Sequence, residues 1–223
     1  MRAMILAAGR GERLRPLTDN TPKPLIEVGG KPLIVHHLER LAAAGFEDVV
    51  INLGWLGGQI AERLEDGRIL GLQIRYSQEP PGALETAGGI VEALPLLGEK
   101  PFLVVSADVM TDYPFGRLRE IELAGQAHLV LVDNPPHHRV GDFGLESGRV
   151  YAGNGKRLTF SGIAVFEPSL FAGLSPGRRP LRPVLEQAIA AGRVGGEHYA
   201  GMWADIGTPE RLADVQQSSD PDS

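Results

Sequence analysis

The 223-residue sequence contains no cysteine, so it can form neither a disulfide nor a thiolate metal site. Aromatic residues make up only 6% of the chain. No apolar run approaches the roughly 20 residues that span a bilayer, and no secretory-type segment follows Met1. We therefore expect a cytoplasmic protein with no membrane partner.

The chain also lacks an excess of basic residues. Its 22 Lys and Arg residues stand against 28 Asp and Glu residues, which gives a formal net charge of -6. A general nucleic-acid binder normally carries a basic face, so we expect no nucleic-acid partner. An anionic small ligand would instead need a local basic cluster, and one occurs near the amino terminus: Arg10, Arg13, Arg15, Lys23 and Lys31.

The first half of the chain alternates short apolar segments with amphipathic helical patterns. Strands are expected at residues 4–8, 48–53, 72–77 and 102–106, and helices at 32–44, 59–64 and 86–94. Continuous apolar strands between such helices predict a mostly parallel sheet covered on both faces. We expect a Rossmann-like three-layer α/β sandwich.

The second half is less regular. Its pattern predicts a helix at 115–123, a strand at 128–132, a hairpin at 142–151, a strand at 159–166, and helices at 183–191 and 209–215. Strands are also expected near Val194 and Met202. We interpret this half as a small insertion on one domain spanning residues 1–215, followed by a polar, disordered tail at 216–223.

The loop after the first strand is the best candidate for a ligand site. Gly9 and Gly11 allow close approach of a backbone to a ligand, and loop N–H groups can form an anion site. Nearby arginines match phosphate oxygens. An ordinary turn with solvated arginines is the alternative. The third glycine of a dinucleotide fingerprint is absent, as is a P-loop motif, so dehydrogenases and P-loop NTPases are disfavoured.

Two aspartates are candidates for metal binding. Ligands of open α/β sheets bind beyond the carboxyl ends of parallel strands, and Asp108 follows the expected strand at 102–106. Asp205 precedes a tight turn before a helix. Either could simply cap a following helix. Two carboxylates beside a phosphate site can instead hold Mg²⁺ together with substrate oxygens and water.

These features resemble a known enzyme family. The opening LAAGRGERLRPLTDNTPKPL, the aspartate after a later apolar strand, and WADIGTP at residues 203–209 are similar to nucleotidyltransferases that make nucleoside-diphosphate sugars. The match extends over nearly the whole chain. Within the family, ADVMTDY, VDNPPHH and the short length resemble the branch that uridylylates N-acetylmuramic acid 1-phosphate in peptidoglycan recycling.

The resemblance implies UTP and a sugar 1-phosphate as substrates and Mg²⁺ as cofactor. It divides the domain into a nucleotide-binding half at about 1–112 and a sugar-binding half at about 113–215. Lys23 would contact the reacting phosphate and Arg15 the pyrophosphate, while Asp108 and Asp205 would hold the metal. Nucleotide contacts are expected from Leu6, Ala7, Ala8, Gly9, Gly11, Arg13, Gln78, Gly82 and Ala83. Sugar contacts are expected from Gly144, Glu146, Asn154, Ser161 and Trp203.

The chain departs from the family pattern at two places. A Gly-Thr-Ala-Gly segment of relatives is replaced by ETAGG at residues 85–89, and a Glu-Lys-Pro segment is absent. The second change fits a sugar with a lactyl ether, whose carboxylate would need a cation. The candidates are Arg139, Arg149, Lys156 and Arg157, although most of them can equally be solvated surface residues.

Three alternatives stay open at this point. The enzyme could be a guanylyltransferase for mannose 1-phosphate, or a thymidylyl- or uridylyltransferase for glucose 1-phosphate. A protein of another class, a non-catalytic nucleotide-sugar sensor, is disfavoured because Lys23, Arg15, Asp108 and Asp205 are all present. The lack of a long carboxyl-terminal extension is consistent with a monomer.

Overall fold

A computed structural model describes residues 1–80, 82 and 84–218. The strands are β1 (Arg2–Leu6), β2 (Glu27–Val28), β3 (Lys31–Pro32), β4 (Asp48–Leu53), β5 (Gln73–Gln78), β6 (Phe102–Ser106), β7 (Val109–Thr111), β8 (Ala127–Val132), β9 (Gly144–Glu146), β10 (Arg149–Tyr151), β11 (Thr159–Phe166), β12 (Val194–Tyr199) and β13 (Trp203–Asp205). The α-helices are α1 (Leu33–Ala43), α2 (Gly57–Leu64), α3 (Glu85–Leu97), α4 (Gly116–Arg119), α5 (Leu181–Ala190) and α6 (Pro209–Ser218).

Nine of the strands in the described part of the chain form one sheet, in the order β5-β4-β1-β6-β11-β8-β12-β10-β9. The first four are parallel, and β8 and β12 are parallel to each other. Only β11 and β10 run against the other seven. The predicted α/β fold with a mostly parallel central sheet is confirmed.

Alternate residues of the central strands pack on opposite faces of the sheet, because successive side chains of a strand point to opposite sides. Ile5 and Ile51 belong to the core under α1 and α2, whereas Met4 and Val50 belong to the core under α3 and α5. All four are fully buried. Burial on both faces explains why these strands are continuously apolar and produces the expected three layers.

Several predicted helix ends differ from the structure, and α3 continues to Leu97 where the prediction ended at residue 94. The helix expected at 115–123 is limited to α4, because Ile121 and Leu123 both pack against the core and a spacing of two is typical of extended chain. The last helix continues to Ser218, three residues into the segment expected to be disordered. Residues 219–223 lie outside the described part of the chain. None of the described helices combines the length and apolarity that a membrane span requires.

His37 on α1 makes the stability of the fold sensitive to pH. It is only 1% exposed, and burial lowers its pKa from 6.5 to about 4. The unfolded chain therefore takes up a proton below pH 6.5 before the folded chain does, so stability falls as the pH falls from about 6.5 to 4. We expect this group to account for a loss of up to about 3 kcal/mol.

Urea unfolding at a series of pH values tests the contribution of His37. In His37→Gln the free energy of unfolding should decline less over that interval, since every other titrating group is shared with the parent protein. If the free energy of unfolding fell equally with pH in the two proteins, His37 would not be the group responsible.

Candidate active site

The loop after β1 and the end of β6 emerge side by side at the carboxyl edge of the sheet. Leu6 pairs with Ser106, and the Ala107 N–H donates to the Leu6 carbonyl at 3.1 Å. Between them lies a cavity of about 460 Å³, which we call the nucleotide-side cavity because the family resemblance predicts nucleotide contacts from several residues around it. Its walls include Leu6, Ala7, Ala8, Gly9, Gly11, Arg13, Lys23, Asn52, Glu79, Glu85, Thr86 and Asp108.

Gly11 shapes the loop that forms one wall. Its φ of 68° lies in the left-handed region. A Cβ at this position would be 3.0 Å from Thr18 Cγ2 and 3.1 Å from Lys23 Cβ. The Thr18 hydroxyl donates to the Gly11 carbonyl at 2.9 Å. Glycine therefore permits a close approach of the loop to the segment that carries Lys23.

Lys23 and Asp108 form an ion pair in this cavity. Nζ of Lys23 lies 2.6 Å from Oδ2 of Asp108, although the residues are 85 positions apart. The lysine side chain is 10% exposed and that of the aspartate 41%. A nearly buried ammonium attracts phosphate oxygens strongly, and the carboxylate retains an accessible oxygen for a cation.

A buried polar chain supports the loop from behind. The Ala7 N–H donates to Asn52 Oδ1 at 2.7 Å, and Asn52 Nδ2 donates to Glu79 Oε1 at 2.7 Å. Burial raises the pKa of Glu79, while the hydrogen bond from Asn52 acts in the opposite direction. Sequence reasoning missed Asn52, although a lone amide in the apolar DVVINL strand was a usable signal.

A second cavity of about 710 Å³, the sugar-side cavity, adjoins the first. The two share a seam formed by Leu6, Arg13, Glu85, Thr86, Ser106 and Asp108. Its other walls include His137, His138, Asp142, Ser161, Gly162, Arg182, Trp203, Asp205 and Arg211. The shared seam makes the two cavities halves of one cleft.

Strand pairing brings Asp205 next to the seam. β13 runs antiparallel to β7, with Asp205 opposite Val109, and the Ile206 N–H donates to the Asp108 carbonyl at 2.7 Å. The Asp205 carboxylate accepts from Arg211 and lies 3.0 Å from His137 Nε2. Trp203 on the same strand donates its indole N–H to the Ser161 carbonyl at 2.9 Å.

The donor set fits a hard divalent cation. Asp108 and Asp205 offer carboxylate oxygens to the same cavity. Among the described residues no group of three or more His, Asp or Glu side chains could hold a metal by itself. A metal at the seam would consequently depend on substrate oxygens and water for its remaining ligands, as is usual for Mg²⁺ bound with phosphates.

The structure brings many of the expected site residues to the cleft. On the nucleotide side these are Leu6, Ala7, Ala8, Gly9, Gly11, Arg13, Lys23 and Asp108, and on the sugar side they are Ser161, Trp203 and Asp205. The Ser161 hydroxyl is already bonded to the Val130 carbonyl at 2.7 Å, so it has no free proton to offer a ligand.

Other expected nucleotide-site residues lie outside both cavities. Arg15 is directed away, with a side chain 57% exposed and Nε 2.7 Å from Asp19 Oδ1. The Gln78 amide donates to the carbonyls of Leu53 and Glu79, both at 3.2 Å. Gly82 is exposed and lines neither cavity. Ala83 falls outside the described residues.

Three expected sugar-site residues also lie away from the cleft. Gly144 packs against the ring of Tyr151 within the β9–β10 hairpin, where a Cβ would come within 1.9 Å of that ring. Glu146 and Asn154 are exposed on or just beyond the hairpin and line neither cavity. The hairpin forms the far edge of the sheet, which separates it from the seam.

The basic residues of the sugar-side cavity differ from those expected. Arg139, Arg149 and Arg157 donate to main-chain carbonyls of Pro136, Gly192 and Gly153, and neither they nor Lys156 line this cavity. Its basic side chains are Arg13, His137, His138, Arg182 and Arg211.

Asp142 organises part of this basic wall. Its Oδ1 accepts from Arg182 and lies 3.3 Å from His138 Nε2, while its Oδ2 accepts the Phe160 N–H at 2.9 Å. Arg182 also lies over the Phe143 ring, 5.2 Å from its centroid. These contacts fix the guanidinium at the cavity wall, where its side chain stays 50% exposed.

Comparisons with known proteins identify the family of the chain. The family model described as "Nucleotidyl transferase" matches residues 2–147. N-acetylmuramate alpha-1-phosphate uridylyltransferase of Neisseria meningitidis is 52% identical, over 97% of each chain. Mannose-1-phosphate guanyltransferase beta-B of Xenopus laevis is 32% identical, over 94% of this chain and 62% of its own.

A solved structure shares the fold. The crystal structure of a Bacillus anthracis protein assigned as a glucose-1-phosphate thymidylyltransferase, in complex with sucrose, superimposes with a TM-score of 0.88. It covers 98% of this chain and 95% of the other at 21% identity. The family model spans well over half of the sequence, and the Neisseria relative is more than half identical over nearly all of it. The protein therefore belongs to the nucleotidyl transferase family, as its motifs predicted.

Proposed function

We propose that the protein condenses UTP with N-acetylmuramic acid 1-phosphate to give UDP-N-acetylmuramic acid and pyrophosphate, as a step of cell-wall recycling in the cytoplasm. The observation that carries the proposal is the Lys23–Asp108 pair, which lies where the two cavities of the cleft meet. The 52% identity to the Neisseria uridylyltransferase supports the choice of both substrates.

The reaction needs no covalent enzyme intermediate. A phosphate oxygen of the sugar 1-phosphate attacks the α-phosphorus of UTP, a new P–O bond forms, and the bond to the leaving pyrophosphate breaks. Positioning and charge neutralisation carry catalysis of this kind. The loop of residues 8–13 offers N–H groups to the triphosphate, and Lys23 faces the reacting phosphates. Arg13, which lines both cavities, stabilises the leaving pyrophosphate.

Nucleotidyltransferases of this type use a divalent metal, and we propose Mg²⁺ held by Asp108 and Asp205. When bound, the ion neutralises charge on the phosphate oxygens. Both carboxylates are paired with basic side chains, Asp108 with Lys23 and Asp205 with Arg211. The aspartates therefore also hold Lys23 in the nucleotide-side cavity and Arg211 in the sugar-side cavity, next to the anionic substrates.

The two halves of the domain correspond to the two substrates. Apart from Gly207, the nucleotide-side cavity is lined by residues of the half at 1–112, whereas most of the sugar-side lining comes from 113–215. The lactyl carboxylate of the sugar would bind the guanidinium of Arg182, which Asp142 and Phe143 hold in place. A fixed, partly exposed guanidinium is well suited to a carboxylate.

A substrate panel with pyrophosphate release as the readout tests the proposal. The rate with UTP should exceed the rates with GTP and dTTP. The rate with N-acetylmuramic acid 1-phosphate should exceed the rates with mannose, glucose and N-acetylglucosamine 1-phosphates. Arg182→Ala should raise KM for the N-acetylmuramic substrate about tenfold or more, because a charge-assisted hydrogen bond is lost. The lower activity with N-acetylglucosamine 1-phosphate should be the same in Arg182→Ala as in the parent protein, since that sugar has no carboxylate.

Two results would count against the assignment. A preference for GTP with mannose 1-phosphate would select the guanylyltransferase alternative. Nucleotide binding without turnover in the presence of Mg²⁺ would indicate a sensor instead of an enzyme.

A further inference from the structure

Glu85 has a backbone conformation that disfavours a side chain. Four non-glycine residues in the described part of the chain have positive φ: Leu56, Glu65, Glu85 and Ser147. Of these, only Glu85, with φ of 58°, lines the cleft. Glycine adopts this conformation without the steric conflict between Cβ and the backbone that other residues experience. A strained residue at a functional cleft is a reason to look for a role of its side chain.

Contacts within the protein do not explain why a glutamate occupies position 85. Its carboxylate lies 2.7 Å from Arg178 Nε, but the arginine side chain is 73% exposed, and exposed ion pairs contribute little to stability. Main-chain bonds already hold the neighbouring segment. The Arg179 carbonyl accepts from the N–H groups of Ala87 and Gly88, both at 3.1 Å, and the Arg179 N–H donates to the Leu84 carbonyl at 2.8 Å. A glycine at position 85 would keep all three main-chain bonds.

The position of Glu85 indicates what it contacts. It belongs to the seam shared by the two cavities. A carboxylate would repel the phosphates that meet there, so it has to face the part of a substrate that donates hydrogen bonds. The Glu85 side chain is 33% exposed and Oε1 lies 2.7 Å from Arg178 Nε, so the carboxylate remains accessible as an acceptor for a ligand.

We propose that the Glu85 carboxylate binds the sugar ring of the sugar 1-phosphate by accepting hydrogen bonds from its hydroxyl or amide N–H groups. This inference rests on the proposed function and deepens it. Glu85 contributes to sugar specificity, and its unfavourable backbone conformation is tolerated because the side chain binds the sugar.

Two substitutions at position 85 distinguish a role of the side chain in sugar binding from a role in protein stability. Glu85→Gly removes the acceptor and the strain together, so the melting temperature should rise by about 2–4 °C. The value of kcat/KM for the sugar 1-phosphate should fall about 10- to 100-fold, because a hydrogen bond to a charged group is lost. Glu85→Gln keeps the size and the strain, so its melting temperature should be unchanged while kcat/KM for the sugar 1-phosphate still falls. KM for UTP should not move in either variant.

Glu65→Gly is the matched control. Glu65 is also a glutamate with positive φ, 49°, but it is exposed at the end of α2 and lines neither cavity. Its replacement should raise the melting temperature and leave the kinetics unchanged. An unchanged kcat/KM for the sugar 1-phosphate in Glu85→Gly, or a loss confined to KM for UTP, would overturn the proposal. A parent enzyme that releases no pyrophosphate from these substrates would instead refute the proposed function.

Discussion

Asp108→Asn is expected to lower kcat by roughly a hundred- to a thousandfold, since removal of one charge-stabilising group from an active site typically costs about 2.7–4 kcal/mol. Asparagine has the shape of aspartate and still offers Lys23 an acceptor oxygen. Asp108 is also 41% exposed, so the fold does not depend on burying it. Turnover should therefore be lost while the circular dichroism spectrum and a cooperative melting transition are kept.

The control for this variant lies four residues away. Asp112 accepts a hydrogen bond from the Tyr199 hydroxyl and lines neither cavity, so Asp112→Asn removes an equal charge outside the cleft. We expect it to retain nearly full activity. Near-normal turnover of Asp108→Asn with Mg²⁺ supplied would rule out the metal role of Asp108. Equal losses in both variants would point to the overall charge of this region instead.

Arg13→Ala is expected to reduce kcat/KM for UTP by about 100-fold, whereas Arg15→Ala should change it by less than about threefold. Arg13 lines both cavities, next to the loop that would hold the triphosphate. Arg15 is two residues further on, directed away from the cleft and paired with Asp19. The sequence prediction assigned the pyrophosphate to Arg15. The geometry favours Arg13 for that contact.

Steady-state kinetics with varied UTP would distinguish the two arginines. The two variants remove the same side chain from the same loop, so each serves as the control for the other. If Arg15→Ala proved as damaging as Arg13→Ala, the loop would have to rearrange on nucleotide binding and bring Arg15 to the phosphates.

Local pattern and a general rule of sheet topology were enough to predict the fold and one side of the site. β4, β6 and β11 begin and end at the residues expected, because predominantly apolar segments bounded by polar turns are strong strand signals. Asp108 could be linked to the loop at Gly9 and Gly11 because the carboxyl ends of parallel strands meet at one edge. Neither step needed knowledge of a side-chain orientation.

The sugar side could not be predicted in the same way. Asp142, Arg182 and Arg211 meet there from a loop and two helices, and no spacing in the chain records their proximity. Glu146 and Asn154, which the family resemblance implied, lie on and just beyond the far hairpin instead. Where a site is assembled across an irregular half of a sheet, strand order decides which residues meet.

The sequence by itself determined the α/β class, the family and the proximity of Asp108 to the glycine-containing loop after β1, because these depend on periodicity, on motif spacing and on the end of one strand. Only the tertiary structure decided that Arg13 faces the cleft while Arg15 does not, that Asn52 supports the loop, and that Glu85 lies strained at the seam. Side-chain direction within a loop and contacts between distant segments depend on three-dimensional packing, which is not encoded in any local pattern of residues.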